Sequence, residues 1–503
     1  MLLNKISSFI AGLICGVSFA PIFFLPGIFC TSLLVAQIKL SNSKFEAMKF
    51  GYMFGFGFYL SNLYWISFAL SVYIDEFWWV IPFALFGLPT FMAIFTSIIA
   101  LISWQARDSK LYHFLFCFIW VLIEWVISWI FTGLPWALIG YVLSNWLILV
   151  QFASIFGIFG LSFVVIYISS SFYNFLYIQS NTEKSYFYMR VLTSIILIIS
   201  ILAYGYLRLK AHPTEYTNIS ARLVQPSIPQ IAKWKPEAFW QNLELQIALS
   251  KKEGSPDLII WSEAALTVPY NIKPVLKEIL SVFANDGQIL LTGGVSDNNK
   301  TGDDVELYSS LIGVNSSADK IFEYYKSHLV PFGEYIPLKN ILPLKKITHG
   351  LMDYTEGKRK SEIIKKFDLT VWPLICYEAI FPYEVKISNK NIDVIINVTN
   401  DTWYGNSSGP YQHFEISRMR AIENGLPMLR VANNGISAFI DPVGRVLEKT
   451  ALDEVTIIDN FIPQKLHNET LFSKYPPWIV LLGIYFVLIL QSISKFFIYI
   501  KTK

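Results

Sequence analysis

The sequence predicts two fold classes in one chain: a polytopic α-helical membrane domain of about eight spans, and an α/β layered domain placed before the last span. Three observations predict this. Only 15% of the 503 residues are charged and 54% are hydrophobic, against roughly 25% charged residues in soluble domains. The charges are sparse from Met1 to Tyr206, ordinary from Asn218 to Thr470, and sparse again to the end. The charged stretch also alternates strand-like with helix-like runs. The expected divisions are residues 1–210 as membrane domain, 218–470 as the polar domain and 476–500 as a C-terminal transmembrane helix.

A spanning helix needs about 20 apolar residues. The apolar stretch Ile6 to Ile38 is too long for one helix and is broken by Pro21 and Pro26, which predicts two, the second short. Because it runs on into further apolar segments rather than ending at a cleavage site, it reads as a retained anchor. Further spans are predicted at Phe50–Ile74, Phe77–Trp104, Leu111–Phe131, Ile155–Tyr177, Val191–Tyr206 and Trp478–Ser494. Lys5, Lys39, Lys44, Lys49, Arg107, Lys110, Lys184, Arg190, Lys495, Lys501 and Lys503 then all fall on one side. Positive loops mark the cytoplasmic side, so both termini are expected there and the polar domain on the far side. A net charge of +3, with no basic stripe in the polar domain, argues against nucleic-acid binding.

In the polar domain, strands are predicted at Asn218–Val224, Leu258–Trp261, Ile289–Thr292, Leu311–Val314, Ile321–Tyr325, Leu369–Ile375, Val394–Val398 and Ala438–Ile440. Helical stretches rich in Glu, Lys, Leu and Ala lie between several of them, as at Ala238–Lys252 and Pro274–Phe283. Some 250 residues of this pattern suffice for one core, arranged as an α/β layered sandwich.

Of four cysteines, Cys15, Cys30 and Cys117 lie in apolar spans and read as small buried hydrophobes. Cys376 is the one cysteine of the polar domain. Its count alone fits an inert core thiol as well as a reactive one. Its position favours the second, because it follows the run Leu369–Ile375 and precedes Tyr377 and Glu378, which open a predicted helix whose dipole would favour a thiolate. Glu263 and Lys326 stand in the same relation to the runs DLIIWSE and KIFEYYK. Ligands of open α/β sheets bind at the carboxyl ends of strands, so a thiol, a carboxylate and an amine can meet in one cleft. A strand-end Glu or Lys taken singly is usually a solvated rim residue; together the three form an acyl-transfer set. Glu263 can move the thiol proton, and Lys326 can stabilise a tetrahedral oxyanion. A rival arrangement pairs Cys376 with His328 or His413 as a dyad.

The motifs WSEAAL at Trp261–Leu266, YYKSHLVPFGEYIP at Tyr324–Pro337 and ICYEAIFP at Ile375–Pro382 resemble those of the carbon-nitrogen hydrolase (nitrilase) superfamily. Together with the spans, and with FAP at Phe19–Pro21, TGLPW at Thr132–Trp136 and NDTWYG at Asn400–Gly405, the chain is similar to its membrane branch, the apolipoprotein N-acyltransferases. The resemblance implies an αββα sandwich facing the periplasm from the bacterial inner membrane, and a catalytic triad of Glu263, Lys326 and Cys376. It also implies that Glu334 orients Lys326, that Tyr377 and Glu378 flank the nucleophile, and that Trp234 sits on a loop over the cleft, a residue that reads equally well as a membrane-surface anchor. The RAIEN run at Arg420–Asn424 belongs by the same likeness to a structural helix. One departure stands out: the family's Glu-Trp in the fifth span is often followed by Arg, whereas Val126 and Ile127 follow Glu124 and Trp125 here. An acid inside the membrane normally needs a partner or a water-filled cavity.

The implied reaction is two-step, with a phospholipid as acyl donor, a thioester on Cys376, and the α-amino group of an apolipoprotein's diacylglyceryl-cysteine as acceptor. No metal or diffusible cofactor is implied, and no metal-ligand spacing appears. Two membrane-touching arms are expected, Tyr335–Leu351 and Trp403–Tyr411, which as sequence read equally well as packed loops. Two other functions fit parts of the sequence. A membrane-anchored amidase would hydrolyse the same thioester with water. A transporter with an exported regulatory domain fits less well, because Glu124 is nearly the only ionisable group within the spans.

Overall fold

The computed structural model describes residues 4–175, 181–297, 306–337, 339, 352–385 and 391–475. Among these, three helices are long and apolar enough to cross a membrane: Phe83–Gln105, Ala153–Ser170 and Glu183–Ala211. Lys5–Gly16, Leu25–Leu40 and Tyr112–Ile127 are shorter apolar helices. The break expected near Pro21 is present as the turn between the first two. The span expected to run to Ile74 stops instead at Leu63, and two short helices, Ile66–Ser71 and Ile74–Phe77, follow it. The predicted span Trp478–Ser494 lies outside the described residues.

The apolar helices approach closely where glycines face backbone. A Cβ on Gly12 would lie 2.0 Å from the Phe54 carbonyl oxygen, and one on Gly57 would lie 2.2 Å from that of Phe9. Such contacts let helices pack without the hydrophobic drive available in water. Glu124, buried in this bundle, accepts the Trp120 indole N–H at 3.0 Å and the Ile139 backbone N–H at 2.7 Å. Hydrogen-bond donors from its own helix and from the segment after TGLPW therefore partner Oε1 of an acid that no arginine follows in sequence.

The polar region forms twelve strands among the described residues: β1 Tyr216–Gln225, β2 Leu258–Trp261, β3 Ile289–Asp297, β4 Leu307–Asn315, β5 Lys320–Tyr325, β6 Glu362–Ile364, β7 Leu369–Ile375, β8 Val394–Thr399, β9 Met428–Ala432, β10 Ala438–Ile440, β11 Val446–Lys449 and β12 Thr456–Pro463. They make two six-stranded sheets, ordered β12-β1-β2-β3-β4-β5 and β11-β10-β9-β8-β7-β6. In each, three central strands are parallel: β1, β2 and β3 in the first, β7, β8 and β9 in the second.

Alternation decides which side chains fill which layer, since successive strand residues face opposite ways. Leu258 and Ile260 pack with Val371, Ile396 and Leu429 between the sheets, while Ile259 and Trp261 face Leu243, Ile247 and Ile279 of the outer helices. On the other side, Leu374 and Ile395 pack against Phe414 and Ala421 of the helix Gly409–Asn424. The result is a helix–sheet–sheet–helix sandwich. The RAIEN run closes that last helix, whose Ile416, Met419 and Ile422 join the core of the apolar bundle. One helix layer therefore serves as the floor between the two regions.

Four strands exceed the expectation: β6, β9, β11 and β12. Of the eight expected strands, β3 and β4 run furthest past their predicted bounds. β3 continues through Gly293 and Gly294, which as sequence read as a terminator, and carries β4 with it from Leu307.

Candidate active site

Cys376 directly follows β7, Lys326 directly follows β5, and Glu263 lies two residues past β2. All three reach one cavity of about 480 Å³, joined there by Glu334 and Tyr377. Its other wall comes from the apolar helices, including Leu88, Phe91, Met92 and Phe95. A polar cluster thus opens into a hydrocarbon-like chamber.

The Lys326 Nζ lies 2.8 Å from Glu334 Oε1 and 3.2 Å from Glu263 Oε1. The lysine is 1% exposed. Burial alone would lower its pKa, but the carboxylates of Glu334 and Glu263 outweigh burial and hold it well above the usual lysine range. Glu334 is fixed in turn, because its Oε2 accepts the Val330 backbone N–H at 2.8 Å.

Glu263 is held from two sides. Lys233 Nζ donates to the Glu263 carbonyl oxygen at 2.9 Å. Gly293 lies beneath the same turn, where a Cβ would come within 2.4 Å of the Ser262 carbonyl oxygen and 2.7 Å of Glu263 Cα. This contact explains why β3 carries glycine in mid-strand: only a residue without a side chain lets the turn approach so closely. Lys233 is 2% exposed, and burial pushes its pKa down to about 8 against the raising pull of Glu263 and Cys376. Two buried carboxylates beside one ammonium would leave net negative charge, and Lys233 supplies the second cation.

Cys376 has φ +51°, the left-handed region that side chains with a Cβ rarely adopt. The segment after it, Cys376–Ile380, is a five-residue 3₁₀ turn rather than the predicted helix. So short a turn supplies little dipole. Burial first, and then the Glu263 carboxylate, pushes the thiol pKa up, so the expectation of a resting thiolate is corrected. The thiol shares its cavity with the Glu263 carboxylate and the Lys326 ammonium.

Glu378 is 2% exposed and accepts four hydrogen bonds: from Ser327 N–H at 2.6 Å, Ser327 Oγ at 2.7 Å, Tyr324 OH at 2.8 Å and Ile375 N–H at 2.6 Å. Tyr377 donates its hydroxyl to the Gly133 carbonyl oxygen at 2.9 Å, joining the nucleophile's turn to the TGLPW loop.

The two histidines weighed as dyad partners are engaged elsewhere. His328 Nδ1 lies 3.0 Å from Glu384 Oε1, and its ring stacks on Phe381. His413 faces the carbonyl oxygen of Cys376, at 3.3 Å from Nε2. Trp234 ends the short helix Gln230–Lys233 and is not among the residues lining the cavity, whereas its neighbour Lys233 reaches Glu263. Of the expected arms, Trp403 and Tyr404 line the cavity, and so do Val330 to Glu334 just ahead of Tyr335. Residue 338 and residues 340–351 of the first arm lie outside the described residues. Among the described residues, no group of three or more His, Cys, Asp or Glu side chains could hold a metal ion.

Comparison with known proteins bears on both regions. Residues 220–467 match the carbon-nitrogen hydrolase family, and residues 11–171 match the apolipoprotein N-acyltransferase N-terminal domain. A Rickettsia prowazekii (strain Madrid E) protein named apolipoprotein N-acyltransferase is 53% identical over 489 residues, covering 97% of this chain and 98% of its own. A Rickettsia bellii (strain RML369-C) protein of the same name is 54% identical over 487 residues, covering 97% of each. One from Brucella melitensis biotype 1 is 34% identical over 465 residues, covering 89% of this chain and 85% of its own.

Proposed function

We infer the reaction from one premise: the chain belongs to the apolipoprotein N-acyltransferase family. It is an acyltransferase of lipoprotein biosynthesis, and the donor is a membrane phospholipid. The acceptor is the free α-amino group of a diacylglyceryl-cysteine at the N-terminus of an apolipoprotein. The observation that carries this reading is the shared cavity, in which Cys376, Glu263 and Lys326 meet walls formed by Leu88, Phe91, Met92 and Phe95. An acyl chain can lie among those apolar side chains while its ester carbonyl reaches the polar end.

In the first half-reaction Cys376 Sγ attacks the ester carbonyl carbon, and Glu263 takes the thiol proton. The carbonyl oxygen becomes an oxyanion, which the Lys326 ammonium stabilises. When the carbon–oxygen bond breaks, Glu263 returns its proton to the departing lysophospholipid alkoxide and a thioester remains on Cys376. In the second, the lipoprotein amine attacks the thioester carbonyl and loses a proton to Glu263. Collapse forms the amide, and that proton passes to the departing sulfur to restore the thiol. Glu334 orients Lys326, and Glu378 and Tyr377 set the position of the nucleophile's turn.

The positive loops support a topology of about eight spans, with both termini cytoplasmic and the sandwich on the periplasmic face of the bacterial inner membrane. The deciding experiment uses phospholipid labelled in its acyl chain. Native protein is expected to accumulate a hydroxylamine-sensitive acyl-enzyme when acceptor is withheld, and Cys376→Ser is expected to accumulate none. Undiminished lipoprotein acylation by that variant would overturn the mechanism.

A further inference from the structure

Beneath the nucleophile lies a buried group of charged side chains that the reaction above does not use. His413, on the helix Gly409–Asn424, is fully buried. Its Nε2 lies 3.3 Å from the carbonyl oxygen of Cys376. A carbonyl only accepts, so Nε2 carries the proton of this contact. Its Nδ1 lies 2.7 Å from Asp401 Oδ1 and 3.2 Å from Arg430 Nη2.

Asp401 and Arg430 are also fully buried and joined to each other, with Arg430 Nη2 at 2.8 Å from Asp401 Oδ2. Thr399 at the end of β8 donates to Asp401 Oδ1 at 3.0 Å, and Arg430 Nη1 donates to Ser417 Oγ at 2.9 Å and to Asn397. Burial would raise the Asp401 pKa, but Arg430 and His413 outweigh it and keep the carboxyl low. Trp136 of the TGLPW motif and Tyr404 of NDTWYG bracket the imidazole, with ring centroids 5.4 Å and 5.7 Å away. With its proton on Nε2, the ring accepts at Nδ1 from Arg430 Nη2, Asp401 holds that guanidinium in place, and the two aromatic rings flank the imidazole's sides.

The residue whose carbonyl it grips has an unfavourable backbone conformation, with φ +51°. A left-handed φ at a residue with a Cβ persists only where the surroundings over-determine it. We propose that His413 is a positioning residue for the nucleophile: its Nε2–H holds the Cys376 carbonyl, fixing the turn that presents the thiol to the cavity, while Asp401 and Arg430 fix the ring. His413 neither takes the thiol proton nor touches substrate. Because Trp136 belongs to the membrane region, the same ring also sets that region's register against the nucleophile. This inference rests on Cys376 being the nucleophile.

Two substitutions of similar polarity separate the roles of the ring nitrogens. In His413→Gln the amide nitrogen can occupy the place of Nε2 and still donate to the Cys376 carbonyl. In His413→Asn it can reach only the place of Nδ1. Full-length protein in detergent would be assayed for the rate of acyl-enzyme formation from labelled phospholipid, its KM, and the rate of Cys376 alkylation by iodoacetamide followed by mass spectrometry.

The expected result is a fall of about 10²-fold in the His413→Asn rate, the size of effect a small misplacement of a reacting group produces. KM should stay unchanged, alkylation should slow in parallel, and most of the rate should return in His413→Gln. Equal rates in the two variants, whether both native-like or both lost, would overturn the inference. If Cys376→Ser formed acyl-enzyme, the nucleophile assignment itself would fall. Equal histidine variants beside an inactive Cys376→Ser would remove the positioning role alone.

Discussion

Glu378 accepts the backbone N–H of Ser327 at 2.6 Å, so the residue after Lys326 is tied to the turn that begins at Cys376. The two strand ends belong to different sheets, β5 and β7, and no ladder hydrogen bond could set their distance. One carboxylate does so, accepting from Ile375 on its own turn as well. Glu378→Gln would turn an amide NH₂ toward one of these donors. An orphaned buried donor costs about 1–3 kcal/mol, so the variant should melt lower. It should also lose more acyl-enzyme rate than Tyr324→Phe, which removes a single donor. Equal rates in the two variants would show that the tie is not needed.

The Lys326 ammonium stands between two carboxylates, and its removal should do more than delete one oxyanion donor. With Lys326→Met, Glu263 and Glu334 lose their common cation, and carboxylates sharing a site cannot both stay ionised. Glu263 would then hold a proton when it should accept one. A loss of about 10²–10³ from the missing donor is the minimum expected. Adding Glu334→Gln to Lys326→Met removes the extra carboxylate, so the double variant should be no slower than the single one. Single-turnover acylation rates for Lys326→Met, Glu334→Gln and the double variant test this, and additive losses would contradict it.

Strand-end placement made Glu263, Lys326 and Cys376 legible, because each follows an apolar run and carries a distinct chemistry. What escaped notice acts through backbone. Lys233 touches a carbonyl thirty residues further along the chain, and nothing in local sequence distinguishes it from a solvated lysine. Gly293 and Gly294 read as the end of a strand because glycine disfavours strands, yet the first is needed where the Glu263 turn crosses β3. The helix expected after Cys376 is absent because the segment turns after five residues to feed Phe381 into the apolar bundle, where it packs with Tyr377. At Glu124, an indole and a backbone N–H satisfy Oε1 although no arginine follows in sequence.

Lys233 predicts opposite pH responses of activity and stability. Its pKa is near 8 in the fold, while an unfolded lysine keeps its proton to about 10.4. Between these values the unfolded chain binds more protons, so Lys233 makes stability rise with pH. Over the same window the second cation beside Glu263 disappears, and acyl-enzyme formation should fall with a midpoint near 8. The first half-reaction is the one to measure, because the lipoprotein amine titrates in the same range. Lys233→Met should abolish both trends. Persistence of the alkaline fall in that variant would assign it to another group.

The cavity predicts selectivity by acyl length. Leu88, Phe91, Met92 and Phe95 come from the first two turns of the helix Leu88–Gln105 and line the chamber that also holds Cys376. Leu88→Trp would add an indole to that wall without touching Glu263, Lys326 or Cys376. Forcing extra volume into a packed apolar site costs about 1–3 kcal/mol, here paid by the acyl tail rather than by the reacting carbonyl. The variant should therefore raise KM for long-chain phospholipids by roughly 5- to 150-fold, the equivalent of that energy, with kcat little changed. Short-chain donors, whose tails stop before the indole, should react as with native protein. If Leu88→Trp slowed both donors equally, or neither, the tail would have to lie along another wall of the cavity.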